Sequence, residues 1–147
     1  MFVSLMLLSL ALGAEPAAYP KSELLIEPAA LAERLDKFVI LDTRLAKVYE
    51  EAHVPGALRV DAGEWSKLFN AKPDAATWAK TLGDLGIATD TPVAVYGGSW
   101  TDSARVWWLL KQYGVKDARL MNGSFAVWKE AGLKVAGGIE KPKPIDG

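Results

Sequence analysis

Residues 92–110 carry the pattern most able to do chemistry. Pro92-Val93-Ala94-Val95-Tyr96 reads as an apolar strand and Gly97-Gly98-Ser99-Trp100-Thr101-Asp102-Ser103 as a glycine-led loop. Ala104-Arg105-Val106-Trp107-Trp108-Leu109-Leu110 follows as a helix. A loop between the carboxyl end of a buried strand and a helix start is where α/β proteins hold ligands, because unpaired backbone N–H groups face outward there. Gly97, Gly98, Ser99, Thr101, Ser103 and Arg105 therefore form a candidate anion-binding loop. Asp102 opposes it, either by neutralising Arg105 or by capping the helix. The same loop echoes the nucleophile elbow Gly-x-Ser-x-Gly, with Thr101 in place of the last glycine. The one histidine, His53, precedes Ser99, whereas that hydrolase order is serine, acid, histidine. Serine hydrolysis is thereby disfavoured, and no catalytic residue is assigned.

Composition removes other chemistries. The 147 residues include no cysteine, so disulfides, thiolate metal sites and thiol redox work are excluded. A single histidine argues against a histidine-built metal site. Neither a metal nor a cofactor is expected. With 17 basic and 18 acidic residues the net charge is −1. There is no basic surplus for phosphate neutralisation, so nucleic acid is not an expected partner.

The elements that must position the loop follow from hydrophobic patterning. Residues 2–12 are an almost unbroken apolar run ending in Leu12-Gly13-Ala14. The run is too short to span a bilayer and fits a secretory signal over residues 1–14, which makes the chain an exported one, periplasmic or secreted. No second run is long enough to cross a membrane. Residues 15–22 are polar and read as a disordered segment. Apolar runs at 24–26, 38–41, 58–60, 93–96 and 118–121 read as strands, and the unalternating ones as strands buried on both faces. Helical stretches lie between them: from Pro28, around 48–52, 64–69, 74–82, 103–113 and 125–131. Asp74 suits an N-cap. Strands alternating with helices imply a central, mostly parallel sheet of about five strands in a three-layer α/β domain over residues 23–136. Residues 137–147 carry Pro142 and Pro144 and read as a linker or tail. Trp107 and Trp108 point about 100° apart on their helix, so one of them is a candidate for an interface.

Three spaced motifs resemble the rhodanese family of sulfurtransferases. Asp42-Thr43-Arg44, then eight residues, then His53-Val54-Pro55-Gly56-Ala57 is similar to the family's first signature. Val93-Ala94-Val95-Tyr96 with Arg105 resembles its active-site strand and loop. Asn122-Gly123-Ser124-Phe125-Ala126-Val127-Trp128, then Glu130 to Val135, resembles its last signature. The resemblance covers roughly residues 24–135. It implies the rhodanese-like fold, with Asp42, Arg44, His53, Pro55, Gly56, Gly123 and Trp128 in structural roles. Asp42 and Arg44 are expected to pair, tying the strand end to the loop.

Departures bear on activity. Ala52 and Asn122 stand where the family usually has glycine. Single-domain members carry the sulfur-bearing cysteine directly after the strand, where this chain has Gly97. Arg105 lies nine residues after Tyr96, a longer loop than a single-domain catalytic loop. Both features are similar to the first, non-catalytic domain of tandem thiosulfate and mercaptopyruvate sulfurtransferases. The resemblance implies a structural or docking module, the first half of a tandem sulfurtransferase. Its expected partner is a cysteine-bearing second rhodanese domain. The alternative is a stand-alone binding protein holding a small sulfur oxyanion in the loop from Gly97 to Ser103.

Overall fold

Five apolar runs become five strands of one sheet. A computed structural model describes residues 19–145. The strands are β1 (Leu25–Ile26), β2 (Val39–Asp42), β3 (Leu58–Arg59), β4 (Val93–Tyr96) and β5 (Ala118–Met121). The order is β1-β5-β4-β2-β3, and every pairing is parallel. Parallel neighbours need crossovers; of the six α-helices among the described residues, all but the last lie between strands and provide them. The six are α1 (Pro28–Ala32), α2 (Ala46–Glu51), α3 (Ala62–Asn70), α4 (Ala75–Asp84), α5 (Trp100–Gln112) and α6 (Phe125–Glu130). This is the three-layer α/β arrangement that the alternation implied.

Each side of the sheet has its own core. Leu41, Val93 and Val95 pack with Trp65, Trp78, Leu82, Val106, Leu109 and Leu110 from α3, α4 and α5. Ile40, Ala94 and Tyr96 pack with Leu31, Phe125 and Trp128 from α1 and α6. All four residues of β4 are buried, as an unalternating central strand requires. Two helix starts are fixed by aspartate caps. Asp61 accepts from the N–H groups of Gly63 and Glu64, and Asp74 from that of Thr77.

Three boundaries differ from the sequence reading. α5 begins at Trp100, three residues before the expected start, because Ser99 serves as N-cap through its extended backbone. Within residues 15–22, Ser22 opens a 3-10 turn, Ser22–Leu24, instead of lying in a structureless segment. The segment from residue 137, described as far as Ile145, runs back over the domain. Gly138 N–H donates to the Glu50 carbonyl and Ile145 N–H to the Gly83 carbonyl. Gly138, at φ +86, makes the turn, and the two prolines keep the chain extended with no N–H to satisfy. The export-signal reading of residues 1–14 lies outside the described residues. Among those described, no helix is long and apolar enough to cross a membrane.

Candidate functional site

The crevice at the carboxyl ends of β2 and β4 is where this topology would open a ligand site. The chain leaves β4 toward β5 on one side, and β2 toward β3 on the other. Register places Asp42 beside Tyr96 at the lip. The crevice is filled by the chain's own side chains.

Asp42 is fully buried and bound on both oxygens. Arg44 Nε lies 3.0 Å from Oδ1, Arg44 Nη2 2.6 Å from Oδ2, and the Arg44 backbone N–H 2.9 Å from Oδ1. Tyr96 Oη donates to Oδ2 at 2.6 Å and accepts the Val54 N–H at 3.0 Å. Arg44 also donates to the Ala52 carbonyl at 2.8 Å. Its guanidinium lies 3.9 Å from the centre of the Phe125 ring, a cation–π contact. Burial pushes the Tyr96 phenol far above its ordinary value, helped by the Asp42 charge, so it stays a donor. Burial alone would lower Arg44, but its hydrogen bond and attraction to Asp42 prevail and hold it above its ordinary value. Every member of the cluster is paired inward, which leaves little to offer a ligand.

Position 97 is closed as well. Gly97 is buried, and a Cβ there would collide with Thr43 Oγ1. Thr43 is itself fixed, with its backbone N–H donating to the Tyr96 carbonyl at 3.0 Å. Phe125 N–H donates to the Gly97 carbonyl at 3.1 Å, pinning the residue from the other side. A side chain at the first position after β4 has no space without movement of Thr43.

The rest of the loop does not assemble a catalytic pair. Gly98, Ser99 and Thr101 are exposed. Ser103 Oγ is 3.0 Å from the Ser99 carbonyl oxygen, a bond within the helix start. His53 is buried elsewhere: its Nδ1 is 2.8 Å from the Tyr49 carbonyl oxygen and its ring stacks on Tyr49 at 4.2 Å. Because α5 starts at Trp100, Arg105 sits in the second turn and not beside the free N–H groups. It is exposed and lines a cleft of about 440 Å³ between α3 and α5, with Ala62, Ser66 and Trp108. Asp102 lies in the first turn of α5 but is not its cap.

The two tryptophans diverge. Trp107 turns inward and donates to the Ala118 carbonyl at 2.8 Å. Trp108 is 41% exposed and meets Phe69 edge-on at 5.3 Å. The turn residues behave locally. Pro55-Gly56 makes a turn with Gly56 at φ +81, closed by Ala57 N–H on the Val54 carbonyl. At Gly123, φ is +123 and a Cβ would press on Val127 at 2.9 Å, so glycine is required there while Asn122 is not strained. Trp128 is buried and donates to the Lys134 carbonyl. Sequence reasoning missed Thr43, Tyr96, Tyr49 and Glu140 as partners. The available signal was two tyrosines, each with a polar tip that burial obliges to bond.

Residues 27–131 match the family model for the rhodanese-like domain. The chain belongs to that family. It is 36% identical over 105 residues to a thiosulfate sulfurtransferase of Cricetulus griseus, covering 67% of this chain and 35% of the relative. A probable 3-mercaptopyruvate sulfurtransferase of Pseudomonas aeruginosa is 33% identical over 142 residues, covering 83% of this chain and 50% of the relative. The chain thus spans between a third and a half of these curated relatives. The crystal structure of YnjE matches with a TM-score of 0.73 and 28% identity, over 86% of this chain and 34% of that one. The 3-mercaptopyruvate sulfotransferase SseA from Escherichia coli shares the fold, with a TM-score of 0.66 and 24% identity.

Proposed function

We propose that this rhodanese-like domain is a non-catalytic docking module, the first half of a tandem sulfurtransferase, working with a cysteine-bearing second rhodanese domain. The observation that carries the reading is the packing at Gly97. Sulfur transfer through a protein persulfide needs a thiolate, and an oxygen nucleophile cannot carry a transferable sulfane sulfur in its place. This sequence has no cysteine, and the position directly after β4 has its side-chain volume occupied by Thr43. Asp42, Arg44 and Tyr96 satisfy one another in the crevice. Partial coverage of sulfurtransferase relatives supports the tandem reading.

The test has two arms. Purified chain given thiosulfate and cyanide is expected to form no more thiocyanate than a protein-free blank. Mixed with a cysteine-bearing rhodanese domain from the same genome, it is expected to co-elute in gel filtration. Turnover by the chain alone, or failure of the two to associate, overturns the reading.

A further inference from the structure

The tail is tied to the domain at points far apart in sequence. His53 and Ala136 exchange backbone hydrogen bonds at 2.8 and 2.9 Å. Gly138 N–H donates to the Glu50 carbonyl at 2.8 Å, Glu140 N–H to Tyr49 Oη at 3.1 Å, and Ile145 N–H to the Gly83 carbonyl at 3.0 Å. The Lys143 carbonyl oxygen lies 2.6 Å from where a Gly86 Cβ would stand, so the tail rests directly on that glycine. Ile145 helps close an apolar cavity of about 330 Å³ over Trp78, Leu82, Ile87 and Tyr113.

One contact in this series depends on a proton. His53 Nδ1 faces the Tyr49 carbonyl, which can only accept, so Nδ1 carries a hydrogen. His53 Nε2 lies 3.5 Å from Glu140 Oε1. With a neutral ring, Nε2 presents a lone pair to a carboxylate, and the contact repels. With a doubly protonated ring, Nε2 is a cationic donor, and the same contact attracts. The buried ring cannot turn away without giving up the Tyr49 carbonyl and the stack on Tyr49.

The other charged and titratable groups around this ring act on its flanks. The Tyr49 phenol, from α2, is pushed up by burial and remains neutral. Arg44, following β2, holds the Ala52 carbonyl, and Tyr96, from β4, holds the Val54 N–H. Glu140 is the group that meets Nε2 itself.

We propose that His53 and Glu140 form a proton-operated clasp on the tail. Gain of the second imidazole proton draws residues 136–145 onto α2 and α4, and its loss loosens them and uncovers the apolar cavity beneath Ile145. The proposal does not depend on whether the domain is half of a tandem enzyme.

Hydrogen exchange followed by NMR on the whole chain tests it, with rates corrected for intrinsic exchange. Between about pH 8 and about pH 5.5, the Gly138 and Glu140 amides are expected to gain protection as pH falls. The gain should be about fivefold, as suits a pair in which one partner, Glu140, is partly exposed. Glu140→Gln is expected to leave the fold intact and abolish the gain. Protection that stays flat or falls with decreasing pH in the wild type overturns the clasp. So does the same gain persisting in Glu140→Gln.

Discussion

On the side of the sheet covered by α3, α4 and α5, Leu41, Val93 and Val95 meet Trp65, Trp78 and Leu110 in apolar packing. On the opposite side, Ile40 and Ala94 share their face with Asp42 and Tyr96, and the core continues into Arg44 through hydrogen bonds, with the buried His53 on the Tyr49 carbonyl. The buried carboxylate of Asp42 and the buried phenol of Tyr96, with Arg44, lie on the second side. There they satisfy one another: a carboxylate held by a guanidinium and a phenol, and an imidazole held by a carbonyl. Among the described residues the apolar side has no such buried cluster, yet it carries the exposed Trp108 and the cleft beside Arg105. Titratable side chains at a strand end can thus belong to the fold.

Removing a charge from the polar side should be the most damaging change. Asp42→Ala leaves Arg44 half-buried without its partner and Tyr96 without its acceptor, and is expected to cost about 4 kcal/mol in urea unfolding. Leu110→Ala, on the apolar side, is expected to cost about 3 kcal/mol through lost burial and the cavity left behind. An Asp42 variant that proves the milder of the two would break the contrast between the faces.

A smaller effect is expected at the seam between β2 and β4. Gly97→Ala places a methyl against Thr43 Oγ1 and should cost about 2 kcal/mol by overpacking. Much of that loss should return in the double variant with Thr43→Ala, because the atom in collision is gone. The coupling read from a double-mutant cycle sharpens the claim that this position is closed. Zero coupling would mean that the loop makes room in another way.

The gentlest probe is pH. The folded state holds the Tyr96 proton well above the ordinary tyrosine value of 10.0, while the unfolded chain releases it there. The folded state therefore binds more protons above that point, and stability falls as pH rises. The full contribution is present below pH 10.0 and declines by about 1.4 kcal/mol per pH unit above it. Tyr49, also raised, acts in the same direction. Chemical denaturation at a series of alkaline pH values should show the decline, and Tyr96→Phe should reduce its slope.

Much of the fold was legible because the strands are short apolar runs bounded by turn residues, and because Asp74 announces its helix by capping it. The pairing of Asp42 with Arg44 was legible from their adjacency at a strand end. The start of α5 was not. Ser99 caps it through backbone conformation, without the side-chain bond that a cap signal implies, so Trp100 to Asp102 looked like loop. That shift of three residues moves Arg105 away from the helix start, where an anion would have found both charge and amides. Nor did the sequence reveal that the tail folds back. Its ties run through backbone groups and through Tyr49 Oη, none of which leaves a pattern of residue types.

The place of β1 at the sheet edge has a consequence in time. Among the described strands its one neighbour is β5, with Leu25 opposite Leu120, 95 residues later in the chain. Ribosomes add about 5–20 residues each second, so β1 waits for roughly 5–20 seconds after synthesis with its apolar side chains unpaired. The central strands β2 and β4 can meet well before that, and the edge closes last. Contacts so distant in sequence slow folding, because a long loop must be ordered before they form. During that interval β1 is open to a chaperone, or to a wrong partner.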